Sequence, residues 1–203
     1  MKKIILLGTF CFFSFFFLCA NSISTIIIDP GHGGKDPGAL GELYQEKEIN
    51  LKLALNLQED LTNLMPEKKV LLTRASDSYI SLKDRVKYTQ QYKDSIFISL
   101  HTNSSTVTSA KGYEIFYTNK LIKNKDLAQT ILEKIESDFQ FLRNRGLKIG
   151  NYYVLNTSKV PSVLIEIGFI SNEEEEKIIG SSAFLLNLSQ TIAEAITSYC
   201  LEN

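Results

Sequence analysis

Apolar and polar positions follow two different periods along this chain, and the two periods alternate. Short apolar runs predict buried strands, whereas apolar residues that recur every three or four positions predict helices. Strands and helices that alternate in this way indicate one α/β domain, with a mostly parallel, twisted sheet of about six strands and helices on both faces. The predicted strands are Thr25 to Asp29, Lys69 to Thr73, Ser95 to Leu100, Gly112 to Thr118, Tyr152 to Leu155 and Val163 to Ile167.

The predicted helices begin and end at residues that favour helix termini. Ser81 provides a capping start, Pro66 ends the first apolar stripe, and Asn172 precedes four glutamates that complement the dipole at a helix N-terminus. The predicted helices are Ile49 to Leu64, Ser81 to Tyr92, Asp126 to Phe139, a short helix after Asn172, and Phe184 to Tyr199.

The first 22 residues have a different pattern from the rest of the chain. Met1 is followed by two lysines, Ile4 to Leu18 is an apolar run rich in phenylalanine, and Ala20 to Ser22 offer small residues at a cleavage site. This is the layout of a secretory signal peptide. We therefore expect residues 1–22 to be the signal, residues 23–203 to be the catalytic domain, and the protein to be exported to the periplasm or cell envelope.

Two forms of membrane attachment remain open. The apolar run is short for a membrane helix, which needs about 20 apolar residues, but an uncleaved signal would still anchor the protein. Cys19 would allow lipidation, although the bulky Phe17 and Leu18 precede it where such processing favours a small residue. Apart from these two cases, we expect no membrane association.

Charge and cysteine content limit which partners the protein can bind and how its fold can be stabilised. The net charge is −1 and becomes about −3 when Lys2 and Lys3 leave with the signal, so we expect no nucleic-acid partner. Cys200 is then the only cysteine, which excludes an intramolecular disulfide. The remaining length, about 180 residues, is enough for one domain with a sizeable core, and we expect a monomer.

The chain has only two histidines, and both follow predicted strands. His32 lies just after the first strand and His101 just after the third. In open α/β sheets, ligands bind outside the carboxyl ends of the strands. A single loop histidine is consistent with a hydrogen bond to backbone, and the glycine-rich loop around His32 lacks the ending of a phosphate-binding loop. Two imidazoles at equivalent strand ends instead indicate a shared metal ion.

Zinc in hydrolases commonly has three protein ligands and one open position. The third ligand would be a carboxylate, and Glu42, Glu46 and Glu48 all lie between the first strand and the first helix, so their spacing leaves the choice open. Glu166 differs because it interrupts an apolar strand, where burying a charge is costly without a partner. A carboxylate placed there could accept a proton from water activated by a metal.

Five short motifs occur along the chain, at Ile28 to Ala39, Glu46 to Leu51, Leu72 to Arg74, Ser99 to Asn103, and Pro161 to Asn172. Together they resemble the zinc-dependent N-acetylmuramoyl-L-alanine amidases of the type 3 family. The resemblance covers the whole chain after the signal. It implies that the zinc ligands are His32, Glu46 and His101 and that the catalytic glutamate is Glu166. The resemblance, and not the spacing, selects Glu46.

The chain departs from the family pattern at two positions, neither of which is a ligand. The family usually has aspartate where this chain has Glu48, and often alanine where it has Thr102. Some relatives also carry a helical insertion that plugs the site. The 65 positions from His101 to Glu166 predict an accessible site without such a plug.

The resemblance also implies the reaction. It is hydrolysis of the amide bond between N-acetylmuramic acid and L-alanine in peptidoglycan by zinc-activated water, with a glutamate as general base and acid. Its role would be cell-wall remodelling or daughter-cell separation. Asp29, Asn103 and Arg74 are candidates for orienting a ligand or the substrate. The alternatives are a zinc peptidase acting on another peptidoglycan amide and a non-catalytic wall-binding protein.

Overall fold

A computed structural model describes residues 23–203 of the chain. The predicted signal peptide at 1–22, including Cys19, lies outside the described residues. Within 23–203, no helix combines the length and the apolar character that crossing a bilayer requires.

A six-stranded sheet forms the centre of the fold, with the strand order β2-β1-β3-β6-β4-β5. The first four strands in this order run parallel, β4 is antiparallel to β6, and β5 is parallel to β4. The predicted mostly parallel α/β domain of about six strands is therefore confirmed. The strands are β1 (Thr25–Pro30), β2 (Lys69–Leu72), β3 (Ser95–Asn103), β4 (Tyr113–Tyr117), β5 (Asn144–Ile149) and β6 (Ser162–Phe169).

Helices cover the two faces of the sheet unequally. One face packs against α1, α3 and α6 around the larger apolar core, and the other packs against α2 and α4 around a smaller one. The predicted caps form: Ser81 Oγ accepts the Asp84 N–H, and Asn172 Oδ1 accepts the Glu175 N–H. The helices are α1 (Glu46–Leu64), α2 (Leu82–Thr89), α3 (Ile122–Asp138), α4 (Tyr153–Thr157), α5 (Glu173–Ile179) and α6 (Ser182–Glu202).

The sixth strand is not where the sequence predicts it. The prediction of a strand at Tyr152–Leu155 is wrong, because Tyr153–Thr157 forms α4 and buries its apolar side chains in the smaller core. The strand that completes the sheet is Asn144–Ile149, which lies at the edge and is half-buried. An edge strand needs no continuous apolar run, so the pattern of apolar residues gave no signal for it.

The segment between the two chemically important strands β3 and β6 places its longest helix away from their shared edge. It contains β4, α3, β5 and α4, and α3 begins at Ile122, four residues before the predicted start. Its longest element, α3, packs against α6 and β4 in the larger core. The carboxyl ends of β1, β3 and β6 meet at one edge of the sheet, and this edge positions the site.

Candidate metal centre

His32 lies in a tight turn that leaves β1. Its backbone φ is 59°, a left-handed conformation that is uncommon for a residue with a side chain. Arg85 stabilises this turn from α2, because its guanidinium donates to the carbonyl oxygens of Pro30 and His32, each at 2.7 Å. The Gly31 N–H donates to Leu100 O at 2.9 Å and ties the turn to β3. The backbone thus holds the imidazole against the end of the neighbouring strand.

Glu46 is the first residue of α1, and its side chain points into the protein. It is buried, and its two carboxylate oxygens accept the N–H groups of Ala39 at 2.8 Å and Thr102 at 3.0 Å. Oε2 lies 3.3 Å from His32 Nε2, and Oε1 lies 3.0 Å from His101 Nδ1. Among Glu42, Glu46 and Glu48, the structure brings Glu46 to the two histidines.

His101 lies in β3, which continues to Asn103, three residues past the predicted end of the strand and two past His101. Its ring packs directly on Gly31, where any Cβ would overlap the imidazole. A Cβ on Gly38 would likewise overlap Glu46 and His32. These two glycines let the three side chains converge, and the ligand atoms of His32, Glu46 and His101 all lie within 4.8 Å of one another.

The chemistry of these three groups fits a zinc ion. Two imidazole nitrogens and one carboxylate oxygen form a set that catalytic zinc sites use, with a fourth position left for water or substrate. Asp36 Oδ2 lies 2.9 Å from His32 Nδ1, and such a contact orients a ligating imidazole. The side chains of His32 and His101 are 26% and 19% exposed, so small molecules can reach them.

Charges within the cluster change its protonation. Burial disfavours the charged imidazole of His32, but the carboxylates of Glu46 and Asp36 outweigh burial and raise its pKa to about 9. Burial also opposes ionisation of Glu46, yet hydrogen bonds and charge from His101 and His32 lower the pKa of Glu46 far below its usual range. Glu46 is therefore ionised at every physiological pH, as a permanent metal ligand must be.

Glu166 lies beside this cluster on the adjacent strand β6. It is paired in register with His101 of β3 and with Glu114 of β4, so the three side chains share one face of the sheet. Burial raises the pKa of Glu166 to about 7; nearby histidines oppose this shift and the carboxylates of Glu46 and Glu114 reinforce it. Its Oε2 is buried without a hydrogen-bond partner among the described residues. A carboxylate with these properties can carry a proton near neutral pH.

The three residues predicted to orient a ligand or the substrate contact the loops and strands around the site. Asp29 accepts from Arg85 Nη1 at 2.6 Å and so holds the side chain that fixes the turn at His32. Asn103 Nδ2 donates to Glu114 Oε1 at 2.8 Å. Among the described residues, Arg74 donates to the backbone carbonyls of β1, of α1 and of the loops beside them.

Sequence reasoning did not select several residues that contact the ligands. Asn50 is one helical turn after Glu46 and donates to its Oε1 at 3.3 Å. Thr102 donates through its backbone to Glu46 and through its hydroxyl to Asn50. The i,i+4 spacing of Glu46 and Asn50 on the predicted helix could have indicated the first of these contacts. Glu114 offered no signal, because its position depends on the order of the strands.

Two of the four glutamates that begin α5 do more than complement its dipole. Glu176 is buried and accepts the N–H groups of Glu42, Leu43 and Tyr44 at 2.8 to 3.2 Å. Glu175 is also buried and accepts the N–H groups of loops at the ends of β4 and β6. Thus α5, which follows the strand of Glu166, also fixes the loop that leads to Glu46.

Comparison with known proteins identifies the family. Residues 26–198 match the family described as N-acetylmuramoyl-L-alanine amidase. The chain is 34% identical to the N-acetylmuramoyl-L-alanine amidase LytC of Bacillus subtilis (strain 168) over 179 residues, which are 86% of this chain and 35% of LytC. It is 36% identical to the sporulation-specific N-acetylmuramoyl-L-alanine amidase of the same organism over 171 residues, or 84% of this chain and 66% of that protein.

A solved structure has the same fold. The catalytic domain of CwlV, an N-acetylmuramoyl-L-alanine amidase from Bacillus (Paenibacillus) polymyxa var. colistinus, aligns with a TM-score of 0.81 and 34% identity, covering 87% of this chain and 97% of that one. The chain thus spans about one third of LytC and two thirds of the sporulation-specific amidase, but nearly all of the CwlV domain. The chain belongs to the N-acetylmuramoyl-L-alanine amidase family that its motifs resemble.

Proposed function

We propose that this protein hydrolyses the amide bond between N-acetylmuramic acid and the L-alanine of peptidoglycan stem peptides. The observation that carries the proposal is the convergence of His32, Glu46 and His101 to within 4.8 Å, next to the buried Glu166. Membership of the family supports the choice of substrate. A wall-binding protein without catalysis would not need a buried carboxylate whose Oε2 has no partner among residues 23–203.

We assign His32, Glu46 and His101 as the residues that would hold zinc. When bound, zinc supplies Lewis-acid chemistry, which polarises a carbonyl group and makes water a stronger acid. The backbone N–H groups of Ala39 and Thr102 hold the Glu46 carboxylate in place. Asp36 fixes the orientation of the His32 ring.

Glu166 moves the proton of the reaction. As the oxygen of water bonds to the lactyl carbonyl carbon, Glu166 Oε2 accepts the proton that the water loses. The C–N bond then breaks, and the same oxygen donates that proton to the nitrogen of L-alanine. The products are a lactyl carboxylate on the sugar and a stem peptide with a free amino terminus.

The proposed place of action is outside the cytoplasm. Peptidoglycan lies there, and residues 1–22 have the pattern of a secretory signal. We therefore propose export to the periplasm or cell envelope, with residues 23–203 as the catalytic domain and action as a monomer. Membrane attachment applies only if the signal stays uncleaved or Cys19 is lipidated.

Digestion of purified sacculi by the zinc-loaded protein tests the proposal. We expect release of intact stem peptides that begin with a free L-alanine, identified by end-group labelling and mass spectrometry. A zinc peptidase would release fragments cut within the stem, and a wall-binding protein would bind the sacculi without releasing peptide. His101→Ala should lose both zinc and activity, measured by metal analysis and by the same digestion.

A further inference from the structure

A cluster of three charged side chains begins at the neighbour of Glu166 on β4 and extends to β5, on the side away from the metal ligands. Glu114 is the register partner of Glu166 across the antiparallel pair of β4 and β6. Its Oε2 accepts from Arg145 Nε and from Lys148 Nζ, both on β5 and both at 2.8 Å. Its Oε1 accepts from Asn103 Nδ2 at 2.8 Å. This network, which we name the β5 cluster, contains Glu114, Arg145 and Lys148.

The β5 cluster has one uncompensated positive charge and unused donors. The Glu114 side chain is only 5% exposed, whereas those of Arg145 and Lys148 are 25% and 38% exposed. Within residues 23–203, Arg145 uses Nε for Glu114 and Nη1 for the carbonyl of Lys111, and its Nη2 has no hydrogen-bond partner. Its guanidinium also lies 4.8 Å from the centre of the Phe169 ring. The guanidinium is therefore held in place with N–H groups still available.

The helices leave this part of the sheet open. The buried side chains of the smaller core come from β1, β3 and β6, where α2 and α4 cover the sheet. On β4, Phe116 is half-buried against the ring of Tyr152, which precedes α4, whereas Lys148 on β5 is covered by no helix of the described chain and is more exposed. An open face with an excess positive charge therefore runs from Glu166 towards the edge of the sheet.

The positions of Glu166 and of the metal ligands set the direction of the substrate. The scissile carbonyl must lie at His32, Glu46 and His101, and the leaving nitrogen must lie within reach of Glu166. The peptide that follows this nitrogen then extends past Glu166, over β4 and β5. On the opposite flank, a cavity of about 130 Å³ beside the two histidines is lined by Asp36 and Arg85 as well as by aromatic and apolar side chains such as Tyr79 and Tyr153.

We propose that Arg145 and Lys148 bind the first free carboxylate of the stem peptide, on the residue after L-alanine. This inference rests on the proposed function. Two extended residues span about 7 Å, and β5 lies two strand spacings, about 10 Å, from β6. The side chains of Arg145 and Lys148 extend from β5 towards β4, where they contact Glu114. Their length makes up the distance that the two extended residues of the peptide do not span. The cluster thus distinguishes peptides that carry an α-carboxylate at this position from those that carry a carboxamide.

Two synthetic muramyl dipeptides test the proposal. Both contain L-alanine followed by a D-glutamyl residue whose γ-carboxyl is capped as a methylamide. One keeps the α-carboxylate, and the other has an α-carboxamide. We expect the native protein to cleave the carboxylate with a kcat/KM about 10- to 100-fold higher, as for a hydrogen bond to a charged group. The preference should decrease at high salt.

Substitutions test whether the preference for the α-carboxylate depends on the β5 cluster. Lys148→Gln leaves the ion pair between Arg145 and Glu114 intact and should reduce the preference several-fold. Lys148→Gln combined with Arg145→Gln should bring the ratio of the two kcat/KM values close to one, and this ratio is independent of any loss of rate that the two dipeptides share. Lys93→Gln removes an exposed positive charge next to the N-terminal end of β3, at the other end of the sheet. This control should keep the native preference.

Different outcomes would refute the carboxylate subsite and the amidase activity. Failure to cleave either dipeptide or sacculi would argue against amidase activity. Equal cleavage of both dipeptides by the native protein would leave the amidase activity standing and overturn the carboxylate subsite. Equal losses on both dipeptides in the variants would also overturn it, because a purely structural role of the β5 cluster predicts that result.

Discussion

The two carboxylates of the site, Glu46 and Glu166, are both buried but have opposite surroundings. Glu46 contacts two histidines and accepts two backbone N–H groups, and its pKa is lowered. Glu166 has a buried oxygen without a partner among the described residues, and burial raises its pKa to about 7. One carboxylate is thus held permanently charged, and the other can gain and lose a proton. Environment, and not residue type, assigns the two roles.

The largest expected effect is the loss of proton transfer in Glu166→Gln. Glutamine is similar in size but cannot accept and return a proton. We expect kcat on a muramyl peptide to decrease about 10²- to 10⁴-fold, the range for a general acid–base group. Zinc content should stay native, because Glu166 is not one of the three converging ligands. A near-native rate would remove Glu166 from the proton-transfer role.

The same substitution at the other carboxylate should affect the metal instead. Glu46→Gln replaces a charged ligand by a neutral amide that also has to face the N–H groups of Ala39 and Thr102. We expect zinc affinity to decrease by more than the roughly 10- to 100-fold that loss of an outer partner causes. Competition with a chromophoric chelator measures this affinity. Native zinc binding in this variant would show that Glu46 is not a ligand.

The raised pKa of Glu166 predicts a pH-dependent stability of the metal-free protein. Its pKa is about 7 when folded, against an ordinary value of 4.5, so the neutral form is favoured in the fold. This contribution to stability is complete below about pH 4.5 and is lost as the pH rises through about 7. At pH 8.5, Glu166→Gln should therefore be more stable than the native protein, by about 3 kcal/mol if the whole shift applies.

Chemical denaturation in the presence of a chelator checks this expectation. The free energies of unfolding of Glu166→Gln and the native protein should be nearly equal at pH 4.5, and the advantage of the variant should grow towards pH 8.5. Glu174→Gln is a matched control, because Glu174 is exposed in the first turn of α5. The free energy of unfolding of this control should differ from that of the native protein by the same amount at both pH values. A constant difference in Glu166→Gln would contradict the raised pKa.

The sequence alone predicted those parts of the site that lie on strands buried almost throughout. β1, β3 and β6 are buried along almost their whole length, so their apolar runs indicated both the strands and the anomaly of Glu166. The edge strand β5 has no such run, and the prediction missed it. The sequence also could not predict that Glu114 and Glu166 lie opposite each other, because this depends on the antiparallel pairing of β4 with β6.

The choice of Glu46 shows a second limit. Glu42, Glu46 and Glu48 have the same chemistry and lie within one short segment, so residue patterns could not separate them. The fold separates them through distant contacts: Thr102 on β3 donates to Glu46, and Glu176 on α5 fixes the loop before it. Only the family resemblance contained that information, which the residues themselves do not show.

The smallest expected effect concerns Asp36, which contacts His32 from outside the cluster of ligands. Asp36→Asn should weaken zinc binding about 10- to 100-fold at pH 9, because the ring of His32 loses its orienting partner. At pH 7 the loss should be smaller. Asp36 helps to raise the pKa of His32 to about 9, so protons compete with zinc in the native protein, and they compete less in the variant. Chelator competition at both pH values measures the two losses, with Glu174→Gln as the unaffected control. Equal losses at pH 7 and pH 9 would show that Asp36 orients the ring without changing its protonation.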